Sequence, residues 1–350
     1  MPEKSGNSNA QRVAFGQGTP MRLSSYLAAT RPFSFPLSLL PVLLAASAAL
    51  PIGRWHWDRL FATLLGVGLL HAAGNLLNDY FDHRAGVDKP DPRRREKQDT
   101  VRAGLTGAAI KREACLLLAA ASLPVAYLGW KSGPATALFG SAGMAAAYAY
   151  TGPPFRLKHR ALGEPLIFAV FGPLLMLGAA RAQGPGTNAG VLLLSIPAGL
   201  LTTAVLLGNN VRDYHSDREA GVRTLAHVLG RRRAGGLYIA MLLVAFALPV
   251  FLGVSGLAPP FLTLTPLLLA FHRHPIRRMA MGTPQEDIDK RTAALTGLFL
   301  AFLTIAFAFG GPLDSFNPGA RPAGGTARGR SSGNTRWSYP APVSGRRSVP

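Results

Sequence analysis

The chain has 350 residues, 48% of them hydrophobic and only 15% charged, with a mean hydropathy of +0.20. Soluble domains carry roughly 25% charged residues, and here the apolar residues gather in runs near the ~20 needed to cross a bilayer, which excludes an ordinary soluble enzyme. The lone Cys115 excludes an intrachain disulfide and a cysteine-rich metal site, and the +20 net charge reads as basic loops meeting anionic lipid, not nucleic acid.

Residues 1–20 are polar and lack a short apolar core followed by a small-residue cleavage site, so they are predicted to be a disordered tail. Apolar runs follow at roughly 33–53, 58–82, 112–130, 134–152, 164–182, 189–210, 235–255, 257–272 and 293–311. The eighth carries Pro259, Pro260 and Pro266 and is the poorest helix former. The prediction is an all-α, polytopic membrane protein of about nine helices. A disordered tail covers 1–22, a membrane domain 23–311, and a second Gly/Pro/Ser/Arg-rich disordered tail 312–350.

Charge placement orients the bundle. With the amino terminus inside, the first tail and the loops after the even-numbered spans take most of the Lys and Arg. The outside loops keep only Arg54, Arg59, Lys131 and Arg181. The positive-inside rule then predicts a cytoplasmic amino terminus in a multi-pass cell-membrane protein. The arginines after Gly311 fall outside in this arrangement and do not follow the rule.

The second run ends in Gly74-Asn-Leu-Leu-Asn-Asp-Tyr-Phe-Asp-His-Arg-Ala-Gly-Val-Asp88. If the helix continues, Asn75, Asp79 and Asp82 recur at i, i+4 and i+7 on one face. Asn78 lies beside them, and Asp88 follows Gly86, a natural helix stop. The sixth run ends alike, with Asn209, Asp213 and Asp217 at i, i+4 and i+8. Tyr150-Thr-Gly-Pro-Pro-Phe-Arg-Leu-Lys158, at the end of the fourth run, falls on the same inside face. Residues 58–158 and 189–291 read as a loose internal repeat.

Carboxylates at a membrane helix end are costly unless a cation or water meets them. Two such ends suit a hard cation; magnesium takes one or two carboxylates plus substrate phosphates. Lys89, Arg102, Lys158, Arg212 and Arg223 share that face and suit a diphosphate, while the hydrocarbon-lined bundle suits a long apolar tail. Each residue alone has a plainer reading. A single Asp is a solvated cap or the partner of a nearby Arg, and Arg93-Arg-Arg95 and Arg231-Arg-Arg233 are inside anchors. Likewise His71 is a packed polar group or a pocket group, Tyr150 an interfacial anchor or a pocket group. Gly68, Gly74, Gly172 and Gly178 serve close helix packing. Two copies of Asn with paired Asp on one face raise the functional reading above the plain one.

These motifs resemble the UbiA superfamily of intramembrane aromatic prenyltransferases, over roughly residues 30–310. That family has nine helices, an Asn-Asp-x-x-Asp element after the second, an Asp-x-x-x-Asp element after the sixth and a Tyr-Thr-x-x-Pro segment after the fourth. Several segments resemble its dihydroxynaphthoate branch: Arg31-Pro-Phe-Ser-Phe-Pro36, Asn75 through Asp82 with Gly86-Val-Asp88, Tyr150-Thr-Gly-Pro-Pro154 with Leu162-Gly-Glu164, and Asn209 through Asp213 with Arg223-Thr-Leu225. Val222 replaces that branch's lysine, and the charged stretch Pro90–Thr100 departs from it.

The resemblance implies that Asp79, Asp82 and Asp88 bind one magnesium–diphosphate face and Asp213 and Asp217 the other. Asn75, Asn78 and Asn209 assist, Arg102 and Lys158 contact diphosphate, and Tyr150 lies near the acceptor. The function it implies is transfer of a polyprenyl group from polyprenyl diphosphate to an aromatic acceptor, 1,4-dihydroxy-2-naphthoate first and 4-hydroxybenzoate second. It implies no protein partner. A cation-coupled transporter is the rival, but it would place acids near mid-membrane, whereas the motif acids lie at span ends.

Overall fold

A computed structural model describes residues 30–50, 54–84, 107–184 and 189–311. Contacts divide the chain into two units, Met1–Asn317 and Pro318–Pro350, and every described residue lies in the first. Both predicted tails, and Asp88, Lys89 and Arg102, fall outside the described residues.

The described residues are helical, with one isolated bridge between Arg160 and Arg223 and no strand. Seven helical segments among them are long and apolar enough to cross a membrane. They include α1 (Pro36–Ala49, entered through a 3-10 turn at Pro32–Ser34), α2 (Trp57–Arg84), α3 (Gly107–Ser132) and α5 (Gly163–Gln183). After them come α6 (Ala189–Arg212) and, beyond the short α7 (Tyr214–Glu219) and α8 (Leu225–Leu229), α9 (Arg231–Val254). The short α10 (Arg273–Ala280) precedes the seventh, α11 (Ile288–Gly310).

The other two predicted spans take different forms. The fourth is α4 (Pro134–Thr151), an 18-residue helix that is not among those seven. It turns back on α3 through Gly133 at φ 94°, a left-handed conformation that glycine adopts without steric cost, and Pro134 then opens the helix. The eighth is a 3-10 helix, Pro260–His272. Pro266 cannot donate to the ladder, and the thinner 3-10 coil rises roughly 2.0 Å per residue, so 13 residues reach about 26 Å. A buried chain of polar groups fixes this segment. The Tyr238 hydroxyl of α9 lies 2.6 Å from His272 Nε2 and 2.7 Å from Thr292 Oγ1 of α11.

Burial is uneven. Helix α6 is central and packs against α1, α5, α9 and α11; its Val191, Leu194, Leu201, Leu207 and Val211 are inaccessible to solvent. By contrast α3 lies at the edge, packed on α2 through Ile110 and Ala114 against Leu76 and Leu77, with Leu116, Leu123 and Trp130 pointing outward. Such exposed apolar side chains suit contact with lipid. Close backbone approach sets the α5–α6 contact. A π-helical turn at Val170–Leu174 admits Pro173, and Gly172 lies against Gly199 and the Ser195 carbonyl. There is no room for a side chain there, as expected of Gly172.

Candidate active site

Helix α2 continues unbroken through Arg84, so Asn75, Asp79 and Asp82 do share a face. Each is met by another element. The Asn75 side-chain amide donates to the Thr30 carbonyl at 2.8 Å, and Arg31 Nη2 lies 2.5 Å from Asp79 Oδ1. The segment after α4 folds back over the same helix end. There Lys158 Nζ donates to Asn78 Oδ1 at 2.9 Å and to Asp82 Oδ2 at 2.6 Å, while His159 Nε2 is 3.4 Å from Asp82 Oδ1.

At the second acidic element, α6 stops at Arg212 and restarts as α7 after Asp213. The i+4 links survive the break: the Asp213 amide donates to the Asn209 carbonyl and the Asp217 amide to the Asp213 carbonyl. Arg212 donates through Nε and Nη2 to Asp213 at 2.9 and 3.2 Å, and through Nη2 to Asn209 Oδ1. Its Nη1 donates to Asp289 Oδ1 at 2.7 Å and to the Glu286 carbonyl at 2.9 Å. Two further contacts sew the halves together. Asn210 donates to the buried Glu164 carboxylate at 2.8 Å, and the Ala161 amide donates to the Arg223 carbonyl at 2.9 Å.

A cavity of about 1230 Å³ opens between the two acidic ends. Of the predicted site residues, Asn75, Asn78, Tyr150, Lys158, Asn209, Arg212 and Asp213 line it. Asp79, Asp82 and Asp217 are buried just behind the wall, and Arg223 stands exposed beside the Arg160 bridge, away from it. The cavity then runs along α2 past Leu70 and Val67 to Ala62, with Phe139, Phe171 and Leu174 opposite, so a polar mouth leads into an apolar body. His71 sits at the junction, its Nε2 2.8 Å from Ser34 Oγ and its ring edge-on to Phe35 and Phe171. It is both a packed group and a cavity group.

The donors at the mouth are carboxylate and amide oxygens, the kind magnesium prefers over the sulfur and nitrogen ligands of softer metals. Among the described residues no three His, Cys, Asp or Glu side chains converge on a metal position.

The sequence did not single out Arg31, His159 or Asp289. Arg31 and His159 are brought in by chain reversals that spacing cannot reveal. Asp289 carried a signal: Glu286-Asp-Ile-Asp289 is a third acidic helix end on the same predicted face.

The UbiA prenyltransferase family matches residues 38–303. UbiA prenyltransferase domain-containing protein 1 of Danio rerio is 33% identical over 296 residues, covering 80% of this chain and 84% of that protein. The Homo sapiens protein of the same name is 33% identical over 295 residues, covering 80% and 83%. A UbiA homolog from Archaeoglobus fulgidus, solved with GPP and Mg2+ bound, superposes with a TM-score of 0.60 at 15% identity, covering 81% of this chain and 99% of that one. The fold, the two acidic helix ends and the sequence match agree: the chain belongs to the UbiA prenyltransferase family.

Proposed function

We propose that the protein transfers a polyprenyl group from polyprenyl diphosphate to an aromatic acceptor, with 1,4-dihydroxy-2-naphthoate as the first choice. The observation that carries this reading is the cavity, whose charged and amide-lined mouth matches a diphosphate and whose apolar body matches a long prenyl tail. The proposed holders of magnesium are Asp79, Asp82, Asp88, Asp213 and Asp217, and the bound ion supplies the charge withdrawal that a departing diphosphate needs.

Lys158 adds a cation at the mouth, with Lys89 and Arg102 proposed to join it on the same face; Arg223, away from the cavity, is not assigned there. Arg212 already donates five hydrogen bonds to protein acceptors, so we assign it to holding Asn209 and Asp213 rather than to contacting diphosphate. Ionisation leaves an allylic cation in the apolar body, where Leu70, Phe139 and Phe171 exclude water that would quench it. The electron-rich ring attacks, then loses a ring proton, or carbon dioxide in the case of dihydroxynaphthoate. Tyr150, lining the cavity and packed on Gly163, stands where it can orient that ring. With the amino terminus in the cytoplasm, the mouth faces the cytoplasm and the protein spans the cell membrane.

Equal naphthoate and hydroxybenzoate acceptors should be offered with one labelled prenyl diphosphate and the products separated by mass. Mainly prenylated naphthoquinol, with carbon dioxide released, is the expected result. Rejection of the smaller ring rests on lost apolar contact, worth only about 1–3 kcal/mol per missing group, so hydroxybenzoate should react slowly. Predominance of prenyl-hydroxybenzoate would reject the acceptor assignment. A chain ending at Gly311 should express and turn over as the full chain does. Its missing residues are too rich in Gly, Pro, Ser and Arg to offset their ordering entropy by burial. A large loss of specific activity would show that they have a role.

A further inference from the structure

The first turn of α11 reaches the cavity mouth, and nothing in the two acidic motifs accounts for it. Asp289 and Lys290 line the cavity there. Asp289 is buried, and its carboxylate lies 2.7 Å from Arg212 Nη1, whose other proton goes to the Glu286 carbonyl. On its far side the same guanidinium grips Asp213 and Asn209. Lys290 Nζ lies 6.0 Å from the Phe33 ring, and Phe33 belongs to the 3-10 turn that follows Arg31, the partner of Asp79. Thus α11 touches the supports of both acidic ends.

A guanidinium is a planar fork with donors in fixed directions, so holding one edge fixes what the other edge can hold. Arg212 follows Asn209 by three residues and adjoins Asp213, at the point where α6 breaks. Helix geometry alone does not hold a side chain at such a break. From this geometry we infer that Asp289 is a positioning residue of the site: by anchoring Nη1 it orients Arg212, which sets Asn209 and Asp213 toward the cavity. The inference builds on the diphosphate-binding role proposed above for the second acidic element.

The test is a cycle of variants at Asp289 and Arg212. Asp289→Ala should raise both the KM for prenyl diphosphate and the Kd of an unreactive prenyl thiolodiphosphate by about tenfold or more, the range of a lost charge-assisted hydrogen bond. The acceptor KM should stay put. Asp289→Asn keeps an oxygen facing Nη1 and should recover most of the loss. In an Arg212→Gln background, Asp289→Ala should add less than about twofold, because residues acting through one another are non-additive.

A purely structural role would lower kcat through a smaller folded fraction and would leave KM and Kd unmoved; that outcome would overturn the inference. So would additive losses in the double variant. Should Asp289→Ala fail to fold, Asp289→Asn and the Arg212 background carry the test. Wild-type protein that binds the thiolodiphosphate while Asp289→Ala binds it equally well overturns this inference alone. Wild-type protein that binds no diphosphate at all overturns the functional reading and this inference together.

Discussion

Asp79→Ala and Asp213→Ala are each expected to lower turnover by ~10²-fold or more while leaving the bundle folded. Asp79 lies on α2 just behind the cavity wall and Asp213 lines the cavity at the α6–α7 break, so neither can replace the other. Loss of the fold is not expected, and the reason lies in their partners. Arg31, which pairs with Asp79, is one-third exposed and stays hydrated when its partner is removed. Arg212 keeps Asp289, Asn209 and the Glu286 carbonyl when Asp213 is removed. Neither change strands a bare buried cation, the situation in which breaking an ion pair becomes strongly destabilising. Turnover and melting of the purified variants check both halves, and near-wild-type turnover in both would remove the two-ended site.

Gly172→Ala and Gly199→Ala are expected to damage the fold itself. A methyl group on Gly172 would meet the Ser195 carbonyl oxygen at 2.7 Å, and one on Gly199 would meet the Phe168 carbonyl oxygen at 2.9 Å. Both obstacles are backbone, so relief requires α5 and α6 to separate. Overpacking of this kind costs about 1–3 kcal/mol, more where backbone must shift. Separation would also pull the Glu164–Asn210 contact apart and loosen the seam between the two halves of the mouth. The matched control is Gly68→Ala, where the added methyl has nothing within 4 Å and helix propensity favours alanine by up to ~1 kcal/mol. Melting in detergent should fall sharply for the first two and hold or rise for the third. Equal melting of all three would mean that the α5–α6 approach is not a constraint.

Much of this architecture was legible in the sequence because membrane spans are marked by length and apolarity, and the predicted runs agree with the helices to within a few residues at most ends. The face shared by Asn75, Asp79 and Asp82 was legible for the same reason: helical periodicity is local. The pairing of Lys158 with Asp82, and of Arg31 with Asp79, was not. Those contacts depend on where the chain reverses after α4 and before α1, and spacing carries no record of a reversal. The second acidic element shows the same limit. Its i, i+4, i+8 spacing suggested one continuous face, but the helix breaks at Asp213, and Asp217 turns behind the cavity wall. Spacing offered Arg212 as a cation for substrate; its two partners outside the motif, Asp289 on α11 and the Glu286 carbonyl, could not be seen in it.

Helix α11 packs against α1 at one end of the chain order and against α6 at its centre. A polytopic chain is inserted as it is synthesised, amino-terminal spans first. The side of α1 destined for α11 therefore waits in lipid through the synthesis of every intervening span, and Arg212 waits for Asp289 over the same interval. Docking of α11 against α1 and α6 and completion of the Arg212 contacts therefore belong to one late step. A chain that ends before Ile288 has the acids of both motifs but neither the α1–α11 contact nor the Asp289 anchor of Arg212.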